Sequence, residues 1–129
     1  MYLLDTSVWI ESFRSGDPLD LAGTLGVDEI VTCLPVIQEV LQGFRDERVF
    51  RLAREALFSF PIVESPLSAG VFEQAVELYR TARRVGRQVR SSVDCLIAVC
   101  ALRHNLEVLH VDRDYESLAS VSALKERRI

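Results

Sequence analysis

Short apolar, β-branched runs alternate along this chain with longer segments of helical period, and this alternation restricts the fold more than any other feature. Tyr2–Asp5, Ile30–Cys33, Ile62–Glu64 and Glu107–Val111 have the length and residue types of buried strands. Between them lie segments that read as helices. Thr6–Phe13 is the first, and Arg14-Ser-Gly-Asp-Pro18 breaks it. Asp17 then caps a second helix that opens on Pro18 and runs to Leu25, where Gly26 stops it. Val36–Phe44 carries apolar residues at 36, 37, 40, 41 and 44, the spacing of one helical face, and Glu47–Phe58 follows. Ser68 caps a long helix to Val85, with Val71, Ala75, Leu78, Ala82 and Val85 on one stripe and Gly86 at its end. Ser91 or Ser92 caps Val93–His104, which is apolar nearly all round. Tyr115–Ser120 reads as a short helix and Leu124–Arg128 as an edge strand. Strands separated by helices imply a parallel sheet covered on both faces, a three-layer α/β/α fold. At 129 residues this is a single domain, 1–129.

The longest uncharged apolar run, Cys95 to Leu102, is far too short to cross a bilayer. No basic segment precedes an apolar one at the start, so the expected location is the cytoplasm. Three cysteines fit that setting. Cys33, Cys95 and Cys100 sit among apolar residues without a Cys-x-x-Cys pair, and Cys95 and Cys100 point about 140° apart on a helix. They read as small core residues, not as a disulfide or a zinc site.

Five carboxylates interrupt this apolar framework. Asp5 ends the first strand, Glu39 interrupts the face of Val36–Phe44, Asp94 opens the most apolar helix, and Asp112 and Asp114 follow the strand at Glu107–Val111. An acid beside buried chain is desolvated and resists ionising unless a donor or a cation compensates it. In parallel α/β sheets ligands gather at the carboxyl ends of the strands, where Asp5 and Asp112 fall. Five acids at the edges of different elements therefore point to one shared hard cation, Mg²⁺ or Mn²⁺ rather than zinc. Each acid also has a local reading. Asp5 is placed to cap the first helix, Asp94 to meet the next helix's dipole, Glu39 to be solvated, and Asp112 and Asp114 to form a turn around Arg113. Thr6 and Ser7 offer hydroxyls to a phosphate or a coordinated water, or else plain helix caps.

The net charge of −4 argues against a polyanionic partner until the five acids are set aside, which leaves 15 basic residues against 14 acidic. Arg80, Arg83, Arg84, Arg87 and Arg90 precede Asp94 and face either a phosphate or merely the negative end of a helix. Arg45, Arg48, Arg51 and Arg54 interleave with acids on an exposed helix, with pairs such as Glu47 to Arg51. His104 sits in a last helical turn. His110 shares a side of its strand with Asp112, from which it can support that acid. Trp9 and Phe13 share a helical face and read as core or groove.

Four segments, in order, carry a resemblance that covers essentially the whole chain: Leu3-Leu-Asp-Thr-Ser-Val-Trp9, Glu39-Val-Leu-Gln-Gly43, Val89-Arg-Ser-Ser-Val-Asp-Cys-Leu-Ile-Ala98 and Leu109-His-Val-Asp-Arg-Asp-Tyr115. The pattern resembles the PIN-domain ribonucleases, and within them the VapC-type toxins of bacterial toxin–antitoxin pairs. The resemblance implies a Mg²⁺-dependent endoribonuclease, with Mn²⁺ as a substitute. It places Asp5, Glu39, Asp94 and Asp112 around the metal, with Asp114 as a fifth acid. It further implies a VapB-type antitoxin as partner and a homodimer within that complex. Thr6, Ser7, Arg87 and Arg90 are the expected substrate contacts. Two departures stand out. The last motif often carries Thr or Asn before its first acid, where this chain has His110-Val111, and it often ends in Phe, where this chain has Tyr115. A degenerate domain that binds without cutting is one alternative. A receiver-like phosphoacceptor is another, but it fits poorly: the sole lysine is Lys125 and Asp94 opens a helix.

Overall fold

A computed structural model describes residues 1–14 and 25–129. Five strands form one wholly parallel sheet: β1 (Tyr2–Leu4), β2 (Ile30–Cys33), β3 (Ile62–Val63), β4 (Glu107–His110) and β5 (Lys125–Arg128), in the order β3-β2-β1-β4-β5. Six described α-helices, with a 3-10 turn at Val27–Glu29 before β2, connect them: α1 (Thr6–Arg14), α2 (Leu34–Gln42), α3 (Glu47–Phe58), α4 (Ala69–Arg84), α5 (Ser92–Arg103) and α6 (Asp114–Ala119). Successive strand residues face opposite sides of the sheet, yet Leu3 and Leu4 on β1 are both fully buried. Both faces of the central strand are therefore covered, which is the three-layer arrangement expected for a parallel sheet.

Strand order reverses about β1, which pairs with β2 on one side and β4 on the other. The Asp5 N–H donates to the Leu109 carbonyl at 2.9 Å and extends the β1–β4 pairing to the point where both strands end. The crevice beyond those ends is where such folds place ligands.

Most elements lie within two residues of their expected bounds. α2 starts two residues early, at Leu34, because Pro35 is accommodated in a first helical turn, where its missing N–H costs nothing. Asp46 caps α3 by accepting from the N–H groups of Arg48 (2.9 Å) and Val49 (3.1 Å). Ser68 caps α4 through the Val71 N–H at 3.4 Å, and Val71, Ala75, Leu78 and Ala82 form the buried stripe. Val85, expected on that stripe, is exposed, because it stands at the helix end just before Gly86 turns the chain at φ +78°. Ser91 occupies the cap position of α5, but its side chain makes no capping bond. The α3 surface arginines are exposed as expected; the Glu47–Arg51 pair does not form, and Arg54 lies over the Phe58 ring instead, 5.2 Å from its centre. The helix expected from Pro18 to Leu25, with Asp17 as its cap, falls outside the described residues apart from Leu25, which is not helical. Cys33, Cys95 and Cys100 are buried free thiols. Among the described residues no helix is long and apolar enough to cross a membrane.

Candidate active site

Asp5 leaves β1 directly into α1, and this short link aims its carboxylate into the crevice. The Asp5 side chain accepts from its own helix and from a distant one. Oδ2 takes the Ser7 hydroxyl at 2.6 Å and the Ser7 N–H at 3.2 Å, while Oδ1 takes the Tyr115 hydroxyl at 2.6 Å. Its local capping role and its place in the pocket thus coexist. Glu39 projects from α2, half-buried, and its Oε1 accepts the Thr6 hydroxyl at 2.6 Å. Thr6 and Ser7 spend their hydroxyl protons on site acids.

Asp94, in the first turn of α5, is 5% exposed. Its Oδ1 lies 3.3 Å from the Tyr115 hydroxyl, and its Oδ2 has no hydrogen-bond partner among the described residues. Burial, then the charges of Asp5 and Asp112, push its carboxyl up to about 8. Asp112 and Asp114 lie beyond β4. The Asp114 N–H donates to Asp112 Oδ1 at 3.0 Å, and Asp114 Oδ2 accepts the backbone N–H groups of Arg90 (3.0 Å) and Ser91 (3.2 Å). Asp114 Oδ1 is buried without a hydrogen bond, although the Arg90 Nε approaches it at 3.5 Å as an ion pair.

Two triads of oxygen ligands result: Asp5, Glu39 and Asp94, and Asp94, Asp112 and Asp114. Within each, the ligand atoms lie within 4.8 Å of one another, and Asp94 belongs to both. A fully ionised cluster of this kind repels itself, and two buried carboxylate oxygens lacking a donor are costly. An all-oxygen set with donors missing at its centre fits a hard divalent cation.

All five acids picked from the sequence therefore meet in one crevice. Of the arginine run only Arg90 reaches it, with its Nη2 donating to Asp112 Oδ1 at 3.1 Å. Arg87 is exposed on the loop after α4 and touches none of the acids, while Arg83 and Arg84 sit in the last turn of α4, as the helix-dipole reading has it. His110 is fully buried and supports the site from below. Its Nδ1 accepts the Asp112 N–H at 3.1 Å, so the proton sits on Nε2, which donates to Glu126 at 2.5 Å. Tyr115 was legible only as a departure from Phe; its hydroxyl, tied to two of the acids, is the site residue the sequence reading missed. Trp9 is core, fully buried against Phe13 and Phe60 with ring centres 6.1 and 5.2 Å away.

Known proteins resemble this chain in sequence and in fold. The PIN-domain family matches residues 2–121. VapC ribonuclease Mb1587 of Mycobacterium bovis is 33% identical, over 97% of this chain and 96% of that protein. Ribonuclease VapC51 of Mycobacterium tuberculosis is 31% identical, over 94% of this chain and 87% of its own. Among solved structures, VapBC2 from Rickettsia felis bound to a promoter DNA fragment superposes with a TM-score of 0.78 at 17% identity, over 99% of this chain and 98% of that one. With the family match spanning nearly the whole sequence and VapC ribonucleases among its relatives, the chain belongs to the PIN-domain family.

Proposed function

We propose that this protein is a metal-dependent endoribonuclease and the toxin of a type II toxin–antitoxin pair. The observation that carries the reading is the pair of carboxylate triads sharing Asp94, with two buried oxygens left without donors. Support also comes from the VapC ribonucleases at 31–33% identity. Asp5, Glu39, Asp94, Asp112 and Asp114 would hold Mg²⁺, with Mn²⁺ as a substitute. When bound, such a cation supplies Lewis-acid charge to a phosphodiester and eases deprotonation of the attacking water. The chain supplies the rest. Thr6 and Ser7 orient Glu39 and Asp5, and His110 holds the Asp112 backbone. Arg90 stands at the rim with its side chain 56% exposed, so its remaining donors are open to a backbone phosphate. Arg87, exposed three residues before Arg90, is proposed as a weaker, long-range contact. A degenerate binding module is disfavoured because every acid stays in the cluster, and a receiver-like domain by the family match.

Purified protein is expected to cleave structured RNA with Mg²⁺ or Mn²⁺, leaving 5′-phosphate and 3′-hydroxyl ends, and to stop in EDTA. Equal cleavage in EDTA would exclude this mechanism.

The partner follows from the same reading. Several solved proteins of this fold are VapBC complexes, and a VapB-type antitoxin is the proposed partner here, within a cytoplasmic complex that contains a toxin homodimer. A groove of about 350 Å³ lined by Ile10, Phe13, Arg14, Val40, Phe44 and Val49 offers apolar surface on α1, α2 and α3. Of the two aromatic residues on the α1 face, Trp9 is buried and cannot make that contact, so Phe13 carries it. A basic antitoxin side chain would fill the acid cluster while apolar ones pack on this groove. Phe13→Ala should weaken antitoxin binding by about tenfold while changing RNA cleavage little, since truncating a contact of this kind costs about 1–2 kcal/mol. Bound antitoxin should also lower Mg²⁺ affinity. Independent binding of metal and antitoxin would rule out the shared-site inhibition.

A further inference from the structure

Beneath the acids lies one hydroxyl that is no metal ligand in the reading above. Tyr115, the second residue of α6, is fully buried, with its ring 5.0 Å from that of His110. Its hydroxyl lies 2.6 Å from Asp5 Oδ1 and 3.3 Å from Asp94 Oδ1, and its single proton serves the shorter contact. The two acids lie 89 positions apart in the sequence, and the Tyr115 hydroxyl reaches both.

The acceptor count on Asp5 gives that contact a consequence. A carboxylate offers about four lone-pair sites. Two on Oδ2 are taken by Ser7, through its N–H and its hydroxyl, and one on Oδ1 is taken by Tyr115. The vacant acceptor site is therefore on Oδ1, the oxygen that Tyr115 holds. We propose that Tyr115 is a positioning residue of the metal centre: its phenol fixes the plane of the Asp5 carboxylate so that the free lone pair of Oδ1 faces the cation, and it sets the spacing between Asp5 and Asp94. A phenylalanine ring fills the same volume but leaves Oδ1 without its donor, so the carboxylate is free to turn about its last bond. The inference rests on the metal-dependent reading of the site. Partners of this kind, which orient a ligand without touching the metal, typically change metal affinity by about 10–100-fold when removed.

The test is Tyr115→Phe in the full chain, with Mn²⁺ binding measured by calorimetry in the absence of RNA. Circular dichroism should be unchanged, and Mn²⁺ affinity should fall by about 10–100-fold. At limiting Mn²⁺, kcat should fall while KM for RNA holds, and excess Mn²⁺ should restore the rate. Ser7→Ala, which removes the hydroxyl donor from Oδ2 but keeps the backbone N–H there and the Tyr115 bond on Oδ1, should weaken Mn²⁺ binding less. Wild-type Mn²⁺ affinity in Tyr115→Phe, whatever its melting temperature, reduces Tyr115 to core packing and overturns the proposal alone. A wild-type protein that does not bind Mn²⁺, or whose binding Asp5→Asn leaves untouched, overturns the metal-dependent reading together with this one.

Discussion

Asp94→Asn is expected to abolish RNA cleavage almost completely while the protein stays folded. The substitution keeps the size and shape of the side chain and removes the charge common to both triads. Electrostatic stabilisation by a bound divalent ion amounts to several kcal/mol, so a lowering of kcat by about three orders of magnitude is the expected scale. Asp5→Asn should behave alike, for its Oδ1 holds the vacant acceptor site and Ser7 anchors the other oxygen. The measurements are single-turnover cleavage at saturating Mg²⁺ and a thermal melt of each variant. A variant that unfolds, or one that keeps more than a tenth of the activity, would return Asp94 to its role as a helix-start acid.

The same residue should make metal-free stability fall as pH rises. Desolvation first, then Asp5 and Asp112, push the Asp94 carboxyl up to about 8 in the folded protein, against about 3.9 for an unfolded aspartate. Between those values the native state binds a proton that the unfolded chain has released, so unfolding is increasingly favoured with pH. The loss begins near pH 4, is complete above about pH 8, and amounts to a few kcal/mol. Asp94→Asn should flatten this slope and be the more stable protein at pH 8, since an amide carries no charge to desolvate. Saturating Mn²⁺ should remove the decline in the wild type, and its binding should release protons below pH 8. A metal-free melting temperature that rises from pH 5 to pH 8 and falls on Asp94→Asn would contradict the buried, repelling cluster.

That trade of stability for charge density also explains the supporting contacts. The Arg90 guanidinium pairs with Asp112 and Asp114, and its side chain, more than half exposed, is held above its ordinary pKa by those two acids. Arg90 thus places one positive charge at the rim of the cluster. Pairs exposed to water add little stability, so Arg90 cannot offset the buried charge of Asp94.

Local chemistry alone determined much of this protein. Strand and helix periods are properties of neighbouring residues, so the five strands, the six described α-helices and the positions of Asp5 and Asp112 beyond β1 and β4 were readable along the chain. Parallel pairing followed from the helical segments between the strands. The acids were conspicuous because carboxylates seldom border apolar runs without compensation. What tertiary structure decided were contacts between residues far apart in sequence. Nothing near Tyr115 signals that its hydroxyl meets Asp5, 110 positions away. Whether an arginine reaches the acids depends on the path of the loop after α4, which brings in Arg90 and leaves Arg87 in solvent. Trp9 and Phe13 share a helical face, but tertiary packing, with Phe60 against Trp9, buries the first and leaves the second at the groove. Periodicity gives a face its direction; what lies opposite that face is set by the whole sheet and the helices covering it.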